Sequence, residues 1–253
     1  KRLMHTVNDY EKSNHPLKDY LANPYPLSSV TTSEFSQSTL NEAQNQAVAG
    51  CLSMPLLSVI HGPPGTGKTT TLAATIAALV KRDPNIRILA CAPSNVATDN
   101  LAIGTLRAGV KKIVRVGHPT RVHADLLRHT LDAQVRESDF YHSCKDIETE
   151  VRKLLQSRSQ YAEVRLLRKE LKERQNKAVQ EVTNTCNVIF TTCNGSFNIA
   201  RKFFNPNFLF DVCVIDGCAQ GLEMSSWIPI LQSRRIILGG DHKQLSATVK
   251  SAV

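Results

Sequence analysis

One short segment constrains the fold of this chain more than any other part of its sequence. Residues 62–69 read GPPGTGKT, which matches the pattern G-x-x-x-x-G-K-[ST] at every fixed position. An apolar run at residues 56–60 precedes the segment, and an alanine-rich helical pattern at residues 71–80 follows it. In such a strand–loop–helix unit the glycines let the backbone wrap a phosphate chain, and the first N–H groups of the helix donate to it. The segment therefore predicts a site for a nucleoside triphosphate.

The loop residues have separate predicted roles. Lys68 is expected to reach the β- and γ-phosphates, and the Thr69 hydroxyl is expected to hold Mg²⁺. The other residues expected to line the nucleotide are Gly62, Pro63, Pro64, Gly65, Thr66, Gly67 and Thr70.

The order of apolar runs predicts the fold class. Candidate strands alternate with helical patterns and lie at residues 56–60, 86–91, 113–116, 187–191, 211–215 and 235–238. This alternation predicts an α/β fold, a doubly wound parallel sheet with helices on both faces. Residues 146–182 interrupt it with apolar side chains at three- and four-residue steps and interleaved charges. That stretch predicts an exposed helix or helical hairpin inserted into the sheet domain.

Composition limits the class of protein and its surroundings. Residues 1–37 are rich in Ser, Thr, Pro and Asn and are interpreted as a tether, so the domain is expected to cover residues 38–253. No apolar run approaches the roughly 18 residues of a membrane span. The seven cysteines never form C-x-x-C, so the eight scattered histidines have no cysteine pair to complete a zinc site. We therefore expect no membrane partner, no zinc, and reduced thiols in a cytoplasmic or nuclear compartment.

The charge distribution suggests an acidic partner. The chain carries a net charge of +9, and residues 81–121 hold eight Lys or Arg against two Asp. Such a bias favours nucleic acid as the partner, with a solvated basic face as the alternative.

Two later strands end in polar residues that belong with the phosphate loop. The apolar run at residues 212–215 ends in Asp216, the Walker B arrangement, so Asp216 is expected to face Thr69 across the Mg²⁺ ion. The run at residues 236–238 leads into the sequence GGDHKQL. Because the carboxyl ends of parallel strands share one edge of a sheet, these clusters are expected to converge there.

Together these residues resemble a known family. Residues 62–70, 91–95, 216–220 and 240–245 are similar to motifs I, Ia, II and III of the superfamily 1 helicases, in the same order and spacing. The likeness covers residues 38–250. It is strongest to the branch that contains the nonsense-mediated-decay helicase and the immunoglobulin-mu-binding helicase, which residues 116–119 and 166–174 especially resemble.

The resemblance implies the fold and activity of a motor. It implies a first RecA-like domain with a helical accessory insertion at about residues 123–183, and a second RecA-like domain is expected in the full-length protein beyond this chain. Family members use ATP to move 5′ to 3′ along single-stranded RNA or DNA.

The resemblance also implies roles for individual residues. Gln44 would select adenine, and Gln220 and Gln244 would sense the γ-phosphate. The residues that would contact nucleic acid are Pro93, Ser94, Asn95, Thr191 and Thr192. As alternatives, Gln44 is an ordinary residue near a helix N-terminus, and Ser94 and Asn95 form an ordinary helix cap.

The sequence departs from the family pattern at two places. Gly217 stands where the family has the glutamate that activates water, and losing a general base typically removes ~10²–10⁴ in rate. The thiol of Cys218 is no substitute, because an ordinary thiol is mostly protonated at neutral pH. Ser246 and Ala247 replace a Pro-Pro pair, so the shape of that loop is left open.

Two interpretations from different classes therefore stand. One is an ATP-dependent helicase represented by its first motor domain, and the other is an ATP-gated nucleic-acid-binding module that does not turn ATP over. A P-loop kinase or GTPase is disfavoured, since neither explains residues 93–95 and 241–244 together.

Overall fold

The computed structural model describes residues 18, 35–54, 56–156, 161–197, 199–205, 207–245 and 247. Most of the predicted tether, residues 1–37, lies outside these residues. So does Ser246, one of the two residues that replace the Pro-Pro pair of the family pattern.

All six predicted strands are present, each within two residues of its predicted bounds. They are β1 (Leu57–His61), β2 (Ile88–Ala92), β3 (Ile113–Arg115), β4 (Val188–Thr192), β5 (Phe210–Asp216) and β6 (Ser233–Gly240). They form one sheet in the order β1-β6-β5-β2-β4-β3, and every pairing is parallel.

The first described helix precedes β1, and the others lie in the connections between the strands. The helices are α1 (Glu42–Ser53), α2 (Lys68–Arg82), α3 (Asn95–Arg107), α4 (Leu131–Glu137), α5 (Asp139–Gln156), α6 (Tyr161–Thr185), α7 (Ile199–Phe203) and α8 (Glu223–Ile230). Short 3₁₀ turns lie at Pro119–Arg121, Ala124–His129, Asn194–Ser196 and Cys218–Gln220. Among the described helices, none has an apolar stretch long enough to span a bilayer.

The route of the chain explains why both faces of the sheet are covered. The chain runs from β1 through β2 out to the edge strand β3, and then returns through β4, β5 and β6. Because parallel crossovers are right-handed, a reversal of direction moves the connecting helices to the other face. Helices α2 and α3 pack on one face, and the end of α6 packs with α7 and α8 on the other. The predicted doubly wound fold is thereby confirmed.

Two apolar clusters hold these layers together, one on each face of the sheet. In β2, Ile88 and Ala90 belong to the cluster beneath α2 and α3, whereas Leu89 and Cys91 belong to the cluster on the opposite face. All four side chains are fully buried. Burial on both faces is the reason that the strands appear in the sequence as continuous apolar runs rather than alternating ones.

The predicted helical insertion is also confirmed, in the form of a hairpin made by α5 and α6. Its two helices pack together through an apolar stripe of Ile147, Val151, Leu154, Val164, Leu167 and Leu171. At its base, the guanidinium of Arg87 donates to the carbonyls of Thr183, Asn184 and Cys186 at the end of α6. These contacts satisfy carbonyls that a helix C-terminus leaves without partners, so Arg87 anchors the insertion to the sheet.

Candidate nucleotide and nucleic-acid site

The sequence-predicted site residues lie along one edge of the sheet, at the carboxyl ends of five strands. The phosphate loop follows β1, Asp216 ends β5, and Asp241 follows β6, and these three strands are neighbours. Residues 93–95 follow β2 and Thr192 ends β4, which are adjacent to each other in the other half of the sheet. The structure thus separates the predicted nucleotide residues from the predicted nucleic-acid residues along a single edge.

The phosphate loop has the backbone that its glycines predict. Gly67, the N-cap of α2, has a φ of 79°, in the left-handed region that favours glycine. A side chain there would also start 2.6 Å from the Nε2 atom of Gln44. The ammonium of Lys68 donates to the carbonyls of Gly62 (2.5 Å) and Pro63 (2.9 Å), so the loop curls around this cation.

Thr69 and Asp216 meet across the sheet edge. The Thr69 hydroxyl donates to Asp216 Oδ2 at 2.6 Å, although the two residues are 147 positions apart. Burial raises the pKa of the Asp216 carboxyl, against the Thr69 hydrogen bond, the charge of Lys68 and the backbone of Gly217, which lower it. One hydroxyl and one carboxylate fit Mg²⁺, which prefers oxygen ligands and takes its other positions from water and substrate phosphates.

Gln44 serves two structural purposes at once. Its side-chain oxygen accepts from the Asn41 N–H at 3.0 Å and its own N–H donates to Asn41 Oδ1 at 2.9 Å, which is a capping box at the start of α1. Its Nε2 also donates to the Thr66 carbonyl in the phosphate loop, at 3.1 Å. Gln44 is therefore a helix-capping residue that lies against the phosphate loop, and its predicted contact with adenine stays a prediction.

Gln220 and Gln244 are joined to each other beside the phosphate loop. Gln220 Nε2 donates to Gln244 Oε1 at 2.9 Å, and Gln244 Nε2 donates to Asp241 Oδ2 at 3.3 Å. They line a cavity of about 550 Å³ whose other lining residues are His61, Pro63, Pro64, Asp241, Lys243 and Leu245. This chain of hydrogen bonds links the end of β5 with the loop after β6 across the cavity.

Gly217 has a backbone conformation that a glutamate would not share. Its φ is 70°, and a Cβ atom there would lie 3.4 Å from Gln220 Oε1 and 3.7 Å from Pro93 Cδ. There is space for a side chain, but the left-handed backbone disfavours any residue other than glycine. Burial also raises the pKa of the neighbouring Cys218 thiol, so that thiol stays protonated at neutral pH and does not act as a base.

The predicted nucleic-acid residues differ in how accessible they are. Ser94 caps α3 by accepting from the Ala97 N–H at 3.1 Å, which agrees with the helix-cap interpretation. Pro93 and Asn95 are half-buried. Thr191 is buried, whereas the half-buried Thr192 accepts from the Gly195 N–H at 3.1 Å. The solvent-facing part of this set therefore consists of residues 93–95 and Thr192.

A buried ion pair beneath these residues was missed by the sequence analysis. Arg115 is fully buried and bonds to Asp99 at 2.6 Å, while its Nη2 donates to Asn95 Oδ1 at 3.0 Å. Asp99 also accepts from the backbone N–H of His123, at the start of the insertion. The signal was an arginine inside an otherwise apolar strand, which the sequence analysis had counted only as part of the basic segment.

Five of the eight basic residues in the basic segment do not line the predicted nucleic-acid edge, whereas the exposed Arg121 lies in the turn after β3, on that edge. Arg115 and Arg87 bond to groups inside the protein. Lys81, Lys111 and Lys112 line a second groove together with Phe35. Lys81 lies at the end of α2, and Lys111 and Lys112 directly precede β3. Both places are at the amino ends of the strands, so the groove lies at the opposite edge of the sheet. The net charge of the segment therefore did not predict at which edge of the sheet each of its side chains lies.

Comparison with known proteins agrees with the motifs. The chain matches the family described as AAA domain over residues 39–165 and 144–252. It is 38% identical to the DNA-binding protein SMUBP-2 of Rattus norvegicus over 90% of this chain and 24% of that protein. It is 33% identical to the DNA polymerase alpha-associated DNA helicase A of Saccharomyces cerevisiae, over 99% of this chain and 40% of that protein. It is also 35% identical to an Arabidopsis thaliana homolog of the regulator of nonsense transcripts 1, over 83% of this chain and 16% of that protein. The chain thus spans less than half of these relatives.

Proposed function

We propose that this chain, which belongs to the AAA domain family, is the ATP-binding half of a nucleic-acid helicase of superfamily 1. The observation that carries the proposal is the hydrogen bond between Thr69 and Asp216 beside the Lys68 loop. It brings together Lys68, Thr69 and Asp216, the three groups that such motors use to hold a nucleoside triphosphate and its metal ion.

In this proposal each group has a definite task. Thr69 and Asp216 would hold Mg²⁺, which would supply positive charge to offset the negative charge of the β- and γ-phosphates. Lys68 would turn its ammonium from the loop carbonyls to those phosphates. Gln244 lies across the cavity from the loop and is bonded to Gln220. A γ-phosphate that contacts Gln244 would therefore also shift Gln220 and the turn that follows β5.

The track would be single-stranded RNA or DNA, contacted by the loops after β2 and β4 and followed in the 5′-to-3′ direction. Relatives named as a DNA-binding protein, a DNA helicase and a regulator of nonsense transcripts support nucleic acid of either kind. In this proposal the protein acts in the nucleus or the cytoplasm, where DNA and RNA of these kinds are found.

A second function is favoured by one observation, the left-handed glycine at position 217. Without a carboxylate to activate water, the domain would bind ATP and nucleic acid but hydrolyse ATP slowly. It would then act as an ATP-gated binding module rather than as a motor.

Steady-state ATP hydrolysis by the full-length protein separates these two functions. The rate is measured with no nucleic acid, with a single-stranded RNA and with a single-stranded DNA of the same sequence, and Lys68→Ala is the inactive control. Hydrolysis that nucleic acid stimulates, and that Lys68→Ala abolishes, supports the helicase. ATP-dependent binding of the oligonucleotides without hydrolysis supports the binding module, and binding of neither ligand refutes both.

A further inference from the structure

Three side chains that could hold a metal ion meet at the end of the nucleotide half of the sheet. His61 is the last residue of β1, and Asp241 and His242 follow β6, its neighbour in the sheet. The pairing of His61 with Gly240 places these residues side by side. One ligand atom from each of the three lies within 4.8 Å of the other two, and the described residues hold no other such group of three.

One contact within this trio already has the spacing of two metal ligands. His61 Nε2 lies 3.3 Å from Asp241 Oδ1, and the imidazoles of His61 and His242 are stacked with their centroids 5.1 Å apart. Around a four-coordinate zinc ion with bonds of about 2.0–2.1 Å, ligand atoms are separated by about 3.3 Å. Both imidazoles are exposed, so small rotations of their side chains would close the remaining distance.

The carboxylate of the trio is fixed by its surroundings. Asp241 is buried, its Oδ1 accepts from the Lys243 N–H at 3.0 Å, and its Oδ2 accepts from Gln244. A carboxylate ligand that is oriented by outer hydrogen bonds is the arrangement that protein metal sites use.

We propose that His61, Asp241 and His242 form a binding site for a divalent transition-metal ion of the zinc and cobalt class. Two imidazoles and one carboxylate suit these ions, whereas Mg²⁺ prefers oxygen ligands alone. The site shares no residue with the Thr69–Asp216 pair, although His61 and Asp241 line the same cavity as Gln220 and Gln244. The proposal does not depend on the helicase function, since it rests only on the three side chains. A bound ion would tie the strand that enters the phosphate loop to the loop that carries Gln244.

Cobalt binding to the chain tests this proposal without nucleotide or hydrolysis. The protein is stripped with a chelator and titrated with Co²⁺, whose absorption distinguishes nitrogen and oxygen ligands from thiolates. We expect one ion per chain, no thiolate charge-transfer band, and a rise in melting temperature, because only the folded chain assembles the trio. Zn²⁺ should displace the Co²⁺.

Matched variants identify the ligands. His242→Ala removes an exposed ligand and should weaken Co²⁺ binding at least ~10-fold, with loss of the thermal shift. His118→Ala removes an exposed histidine in the turn after β3 and should change neither. Cys218→Ser removes the half-buried thiol near Asp216 and should also change neither. Unchanged Co²⁺ affinity in His242→Ala, or a thiolate band that Cys218→Ser abolishes, would overturn the proposal.

Discussion

Replacing Gly217 with glutamate separates the chemistry of this site from its backbone. The carboxylate would stand next to Asp216, where the resemblance to superfamily 1 helicases expects the group that activates water. A positioned general base contributes ~10² in rate or more, which corresponds to about 2.7 kcal/mol of transition-state stabilisation. The natural form should bind ATP and hydrolyse it slowly, and Gly217→Glu should raise nucleic-acid-stimulated hydrolysis by ~10²-fold or more. ATP affinity should change far less, because the carboxylate acts on water in the transition state.

The same substitution should cost stability, and the structure sets the amount. The φ of 70° at Gly217 places it in the left-handed region, which costs a residue with a Cβ roughly 1–2 kcal/mol. The nearest atoms to the added Cβ are 3.4 Å and 3.7 Å away, so steric overlap adds little. In a domain of this size that cost corresponds to a fall of about 2–8 °C in melting temperature.

Gly217→Ala is the matched control, because it introduces the same backbone strain without a carboxylate. Both variants should melt at a lower temperature than the natural form, but only the glutamate variant should gain hydrolysis. The assays are differential scanning calorimetry on the chain and steady-state ATP turnover by the full-length protein with single-stranded RNA. Equal turnover by the two variants, or fast turnover by the natural form, would show that another group activates the water. An alanine variant as stable as the natural form would refute the argument from the backbone.

Four further results are expected. Lys68→Ala should weaken Mg²⁺–ATP binding markedly in calorimetry, because it removes the phosphate-facing cation, whereas Lys81→Ala at the opposite edge should not. Binding of labelled single-stranded oligonucleotides, followed by fluorescence anisotropy, should be tolerant of sequence and fall steeply as salt rises, and salt-independent binding would argue against phosphate contacts. Asp99→Asn should lower the free energy of unfolding in urea by about 3–5 kcal/mol, since it leaves Arg115 buried without its counter-charge; a loss below ~1 kcal/mol would contradict this. Thiol titration of the native chain should modify Cys218 first, as the other six cysteines are buried.

Much of the fold followed from the sequence because its signals are local. The six strands are buried on both faces, so each appears as an apolar run that can be recognised without knowing its partners. The phosphate loop is likewise a local unit, in which glycines and the start of α2 shape the backbone within eight residues. Membership of the family followed from several such local motifs occurring in a fixed order.

Properties that depend on residues far apart in the chain could not be obtained in this way. The sequence supplied Thr69 and Asp216 as candidates, but only the order of the strands brings them within 2.6 Å. The sequence showed the number of charges in the basic segment but not whether each side chain faces solvent. In the structure, Arg115 faces inward and donates to Asp99.

The histidines show the same division most plainly. Their spacing in the sequence predicted no metal site, since His61 and His242 lie at opposite ends of the domain sequence. Parallel pairing of β1 with β6 brings the two together beside Asp241. The sequence by itself thus determined which strands form and which loop curls back at the start of α2, because those depend on burial and backbone freedom along a short stretch. The tertiary structure alone decided which distant side chains meet at the edge of the sheet, because strand order brings them there.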